Sequence, residues 1–178
     1  MEAEDEQEFT GRAKAGDRNA FDQLVRLNKD KMFALTYRMT GDREAALDLM
    51  QDTFFAAFKE MGGFRREANF SSWLYRIAAN KTLNYLRRKK LVSYIPLAAA
   101  NEPSYDMPDL AGSGELSRAI RSGMNSLPPK QKLVFNLRFY EQLPFAEIAA
   151  IMNKNESTVK THYQKAVNKL REMLQDYK

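Results

Sequence analysis

Asn80 and Asn84 stand one helical turn apart. At about 100° per residue, Arg76 and Arg87 fall on the same narrow strip. A side-chain amide both donates and accepts hydrogen bonds, which matches a base edge. A guanidinium grips phosphate and stacks on flat rings. The strip runs into Arg87, Arg88, Lys89 and Lys90, and aromatic residues lie close to it: Phe64, Phe70, Trp73 and Tyr75. Amides, cations and stacking rings together suit single-stranded nucleic acid with splayed bases. The stretch Phe64 to Asn69 is then the expected wall of a base pocket. Phe70 and Trp73 taken singly read better as core, and the terminal cations also suit a helix C-terminus.

Two further surfaces carry a chemical signature. Asp48, Gln51, Asp52, Phe55 and Lys59 share one helical face that points away from Leu47, Met50, Phe54, Phe58 and Met61. An acidic stripe with an exposed phenylalanine suits a protein partner with a basic, partly apolar groove; on these residues alone a solvated face explains it equally well. Near the C-terminus, Val159, Tyr163, Ala166, Leu170 and Leu174 keep 3.6-residue spacing and define a buried side. Opposite lie Ser157, Lys160, Thr161, Gln164, Lys165 and Asn168, residue types that read base edges and hold phosphates. Asn155 is placed to cap that helix, and "PFAEIAAIM", "NKN", "ESTVKTHYQKAVNKLREML" reads as helix, short turn, helix.

The elements that must position these residues are helical almost throughout. No stretch alternates like a strand. Asp17 and Asp42 each follow a glycine and read as N-caps, and Phe21, Leu24, Val25, Met32, Leu35 and Met39 keep to one face of the helix after Asp17. From Leu91 to Gly114 there are three prolines, two glycines, three acids and no cation, which reads as an interdomain linker. The expected organisation is all-α: a four-helix domain over residues 1–90, a flexible acidic linker over 91–114, and a helix-turn-helix domain over 115–178.

The chain has 178 residues and net charge +5, which favours a polyanionic partner. It has no cysteine, so no disulfide framework and no thiolate metal site. Its one histidine, His162, excludes a multi-histidine metal cage and reads as structural or incidentally DNA-facing. There is no paired-carboxylate metal spacing, no phosphate-binding glycine loop and no nucleophile–base set. No enzyme activity, metal or cofactor is expected. No apolar run approaches the ~20 residues of a membrane span, and the acidic N-terminus is unlike a signal peptide. A cytoplasmic protein without membrane insertion is the expectation.

Three segments, "DLMQDTFFAAF", "FSSWLYRIAANKTLNYLRRKK" and "LPPKQKLVFNLRFYEQLPFAEIAAIMNKNESTVKTHYQKAVNKLR", resemble the bacterial RNA polymerase sigma factors of the extracytoplasmic-function group. The resemblance covers Phe9 to Leu174. It implies an alternative sigma factor with core RNA polymerase, promoter DNA and a cognate anti-sigma factor as partners. By position it implies that Asp48, Gln51, Asp52 and Phe55 dock on the clamp helices of the largest polymerase subunit. Phe64, Arg65, Arg76, Asn80, Lys81, Asn84, Arg87 and Arg88 match the region that captures a flipped base and holds the backbone at the −10 element. Ser157, Thr158, Lys160, Thr161, Gln164 and Lys165 match the helix that reads the −35 element. The linker is expected to pass through the polymerase interior. Asn84 stands where many relatives carry aspartate, Pro144 where a capping serine is common, and "NKNEST" replaces a turn richer in glycine or proline. A plain helix-turn-helix regulator explains only the C-terminal half and leaves the Asp48 stripe without a role.

Overall fold

The computed structural model describes residues 2–65, 69–92 and 115–175. Among them the order is α1 (Glu2–Lys14), α2 (Arg18–Thr40), α3 (Arg43–Glu60), a 3-10 turn (Met61–Gly63), α4 (Phe70–Val92), α5 (Glu115–Ser126), α6 (Pro129–Phe139), α7 (Phe145–Met152) and α8 (Glu156–Met173). No described residue forms a strand. The all-α expectation holds. By compactness the chain divides into residues 1–84 and 85–178, a division that falls inside the continuous helix α4 and not at its basic end. The helix itself runs two residues past the expected Lys90, because Leu91 and Val92 contain no breaker. The rest of the expected linker, 93–114, lies outside the described residues, as do 66–68 of the expected pocket wall.

In the first unit both aspartate caps form. Asp17 accepts from the Ala20 N–H at 3.2 Å and Asp42 from the Ala45 N–H at 3.0 Å. Gly41, at φ 69°, ends α2 in the left-handed region that glycine reaches without strain, and its N–H donates to the Tyr37 carbonyl at 2.8 Å. The Arg12 guanidinium also donates to Asp17, at 3.0 and 2.8 Å, and so ties α1 to the start of α2. That contact first, and the backbone bond from Ala20 next, hold the Asp17 carboxyl below its ordinary value. An unmatched cap appears at α4, where Asn69 accepts from the Ser72 N–H at 2.7 Å and from the Ser72 hydroxyl.

The buried face of α3 differs from the expected one. Ala45, Ala46, Leu49, Thr53, Phe54 and Ala57 are buried, whereas Leu47 and Met50 are half-buried and Phe58 is exposed. The reason is close approach. The Thr36 hydroxyl of α2 stands 3.0 Å from the Ala46 carbonyl of α3, a distance only small side chains permit. Bulk is displaced to the flanks, where Phe58 meets the edge of Phe21 at 5.1 Å between ring centres. α2 buries Phe21, Leu24, Met32, Leu35 and Met39 as expected, with Val25 half-buried.

In the second unit α8 packs against α5, α6 and α7. Met124, Leu127, Phe135, Ala166 and Leu170 form a core cluster, with Ile120, Tyr140, Tyr163 and Val167 packed onto it. Val159 is fully buried, and Leu174 lies half-buried at the helix end. Gly123 lets α5 lie close to α8, since a Cβ there would meet Leu170 Cδ2 at 2.8 Å. Asn153 closes α7 in the left-handed region, and Asn155 caps α8 by accepting from the Thr158 N–H at 2.8 Å. The expected helix, short turn, helix is therefore present. No described helix is long and apolar enough to cross a membrane.

Lys132 of α6 is buried, and its ammonium donates to Asn125 Oδ1 at 2.9 Å. Burial lowers its pKa to about 8 from 10.5. Between those values the unfolded chain holds a proton that the folded chain has lost, so stability rises with pH in that window. Thermal unfolding of the wild-type chain and Lys132→Met across pH 7 to about 10 should shift the difference in wild type's favour as pH rises.

Candidate functional site

α3 exposes one surface because its other side is committed to α2. Asp48, Gln51, Asp52 and Phe55 are all exposed, on the side away from Ala45, Leu49 and Thr53. Phe55 is 60% exposed, and the Lys59 ammonium lies 4.3 Å from its ring centre. The acidic, aromatic stripe expected from the sequence is therefore a real surface, wet along its whole length.

α4 supplies the second surface. Phe70, Leu74, Tyr75, Ala78, Ala79 and Thr82 are buried, and this commitment turns Arg76, Asn80, Asn84, Arg87 and Arg88 to solvent. Against α3 this helix leaves a groove of about 360 Å3, lined by Ala56, Glu60, Trp73, Arg76, Ile77, Asn80 and Lys81. Trp73, Ile77 and Ala56 are half-buried apolar surface, while Arg76, Asn80 and Glu60 are exposed. A flat ring therefore finds apolar contact inside the groove and hydrogen-bonding groups at its rim. Among the expected residues the groove gathers Arg76, Asn80 and Lys81; Asn84, Arg87 and Arg88 lie farther along the helix, and Arg65 is exposed at the loop.

Three aromatic expectations need correcting. Phe64 is only 3% exposed, with its ring centre 4.9 Å from Trp73 and 6.2 Å from Phe70. The 3-10 turn ends by binding the Phe64 N–H to the Met61 carbonyl at 3.1 Å, which directs the ring inward. Phe64 anchors the loop and is not an open wall of a base pocket. Tyr75 is likewise buried. Trp73, read from sequence as core, is instead half-buried and borders the groove, and Ala56 and Glu60 were missed altogether. The spacing 73, 76/77, 80/81 on α4 was the available signal; nothing local marks Ala56 or Glu60 as its opposite bank.

α8 supplies the third surface. Ser157, Lys160, Thr161, Gln164, Lys165 and Asn168 are exposed and Thr158 is half-buried, all opposite Val159, Ala166 and Leu170. Several of these side chains hold local partners. Lys160 pairs with Glu156 at 2.6 Å, Gln164 Nε2 donates to Asn168 Oδ1 at 2.9 Å, and the Ser157 hydroxyl donates to Asn155 Oδ1 at 2.9 Å. His162 is half-buried, and its Nδ1 is buried without a hydrogen-bond partner. Desolvation first, then the charges of Lys130, Lys165 and Lys154, lower its pKa. The imidazole therefore stays neutral at ordinary pH beside three cations.

Residues 24–92 match the family described as Sigma-70 region 2, and residues 117–170 match Sigma-70, region 4. The ECF RNA polymerase sigma factor SigW of Bacillus subtilis is 34% identical over 92% of this chain and 93% of its own length. The ECF RNA polymerase sigma-E factor of Haemophilus influenzae is 30% identical over 96% and 94%. In fold, the chain is similar to the sigma factor RpoE of Bartonella quintana, solved with the anti-sigma factor NepR, at TM-score 0.74 and 24% identity over 86% of this chain and 96% of that one. It is also similar to CnrH, solved with the cytosolic domain of CnrY, at TM-score 0.71 and 24% identity over 96% and 97%.

The two phenylalanines give opposite expectations for stability. Phe55→Ser should leave unfolding free energy within about 0.5 kcal/mol of wild type, as for other exposed sites. Phe64→Ser should cost roughly 3 kcal/mol or more, the usual loss for a buried ring. Urea unfolding of both variants distinguishes the anchor from the open surface.

Proposed function

The chain belongs to the extracytoplasmic-function sigma factors of bacterial RNA polymerase, and from that premise we propose how its three exposed surfaces divide the work. It is an alternative sigma factor that directs promoter-specific transcription initiation. It does no covalent chemistry itself and acts in the cytoplasm, where the polymerase works. The acidic stripe Asp48, Gln51, Asp52 and Phe55 docks on the clamp helices of the largest polymerase subunit. Negative charge steers encounter with a basic partner, and the exposed Phe55 ring supplies apolar contact at its centre.

The groove between α3 and α4 receives one unstacked base of the −10 element. Flipping a base costs a few kcal/mol, offset by stacking on Trp73 and by hydrogen bonds to Asn80. Arg65, Arg76, Lys81, Asn84, Arg87 and Arg88 hold the flanking strand. Holding the base outside the duplex shifts the population toward melted DNA. α8 enters the −35 major groove, with Ser157, Thr158, Lys160, Thr161, Gln164 and Lys165 against bases and phosphates. The observation that carries this reading is the exposed Arg76–Asn80–Asn84–Arg87 strip, which continues one bank of the groove. A cognate anti-sigma factor is the expected regulator, a reading supported by the fold similarity to a sigma factor solved with one.

Run-off transcription with core polymerase on a promoter the chain activates tests the division. Asp48→Lys with Asp52→Lys should abolish retention of core polymerase. Asn80→Ala should lower initiation roughly tenfold, the scale of one lost base contact, with retention unchanged. Lys165→Ala should reduce the magnitude of the salt slope of promoter binding by about one unit. Undiminished core retention by the Asp48→Lys, Asp52→Lys chain would instead favour a helix-turn-helix regulator that works without polymerase.

A further inference from the structure

A polar cluster, with Asn28 buried and Glu6 and Ser71 half-buried, joins α1, α2 and the first turn of α4. Asn28 of α2 is 1% exposed, and its Nδ2 donates to the Leu24 carbonyl at 3.0 Å and to Glu6 Oε1 of α1 at 3.0 Å. The Ser71 hydroxyl, in the first turn of α4, stands 2.8 Å from Glu6 Oε1 and 3.1 Å from Asn28 Oδ1 and is shared between them. One carboxylate oxygen thus collects donors from α2 and α4. Asn28 is buried, so loss of its bonds to Glu6 or Ser71 carries a cost even though its Nδ2 keeps the Leu24 carbonyl.

α1 reaches the loop from its other end as well. It packs against the 3-10 turn Met61–Gly63, which leads into Phe64. Both roots of the segment between Phe64 and Phe70 therefore rest on α1: the entry by packing, the exit through Ser71. Two residues past Ser71, Trp73 borders the groove, and Asn80 lies two turns farther on the same helix. α1 is held in turn by the Arg12–Asp17 pair at its far end.

We propose that Glu6 is a positioning residue for −10 base recognition, setting through Ser71 and Asn28 how the first turns of α4, and with them Trp73, stand at the groove. The N-terminal helix thereby tunes promoter discrimination without touching DNA. This rests on the assignment of the groove as the site of the unstacked base. The required chemistry is an acceptor at Oε1, which a glutamine supplies and a leucine does not.

The test uses the full chain with core polymerase on a promoter it activates and on versions with each −10 base replaced in turn. Glu6→Leu should lower the ratio of initiation on the preferred over the replaced base roughly fivefold, the scale of one displaced hydrogen bond. Retention of core polymerase and dependence on the −35 element should not change. Glu6→Gln should keep the wild-type ratio. Ser71→Ala, which removes only a hydroxyl, should lower the ratio alike, and the pair Glu6→Leu, Ser71→Ala should fall no further than either alone. An unchanged ratio in both Glu6→Leu and Ser71→Ala, with Asn80→Ala still lowering it, overturns the positioning role. An equal fall in Glu6→Gln overturns the acceptor geometry. If Asn80→Ala also leaves the ratio unchanged, the groove is not the base site, and the inference falls with that reading.

Discussion

The structure depends on one helix meeting two environments at once. α4 buries Leu74, Ala78, Ala79 and Thr82 while Arg76, Asn80, Asn84 and Arg87 stay in water. A rotation of one residue about the helix axis would wet Leu74 and drive Asn80 into the core. The first change loses roughly 1.5–3 kcal/mol of apolar burial. The second strands an amide at a cost of roughly 1–3 kcal/mol. Neither change is compensated, so the core fixes the angular setting of the polar strip. The points from which these side chains leave the helix are thus set by packing on the opposite side, before any ligand arrives.

Phe64 and the start of α4 show the same division between buried and exposed groups. Phe64, Phe70 and Trp73 lie within 6.2 Å of one another, centre to centre, so the chain leaving the 3-10 turn and the chain entering α4 share one aromatic anchor. Asn69 caps the helix between them through Ser72. Burial of two rings leaves the third, Trp73, half exposed at the groove. A stacking surface backed by two packed rings is rigid, and rigidity lowers the ordering cost of binding a flat ligand.

Much of this was legible in the sequence where a rule is local. The caps at Asp17, Asp42 and Asn155, the exposed Asp48–Phe55 stripe, and both faces of α8 follow from periodicity and hydrogen-bonding type alone. The misreadings are places where a distant segment decides. Bulky Leu47, Met50 and Phe58 looked like the core of α3, but the Thr36 contact with the Ala46 carbonyl brings α2 too near for them. Phe64 looked like an open aromatic because the inward turn of the 3-10 segment has no sequence signature as strong as a cap. Ala56 and Glu60 became visible only when α3 and α4 were placed side by side, and the Glu6–Asn28–Ser71 cluster spans up to 65 positions. A spacing rule cannot reach that far.

The exposed face of α8 carries bonds among its own side chains. Its side chains are not idle: Lys160 holds Glu156, Gln164 holds Asn168, and Ser157 holds Asn155. All are exposed, so each local bond is worth little and is readily exchanged. A phosphate or base edge must still replace a partner and not merely water. A matching sequence offers bonds at least as good as those released, whereas a mismatched one leaves a released group facing an unsuitable edge. On the proposed reading Glu156 adds a second element of selection, because release of Lys160 would leave a carboxylate facing the negative field of a nucleic-acid backbone. Weak, selective contacts of this kind gain strength by being joined: a second unit on the same chain converts the next contact into an intramolecular one. On the proposed reading, α4 and α8 are two such surfaces on one chain.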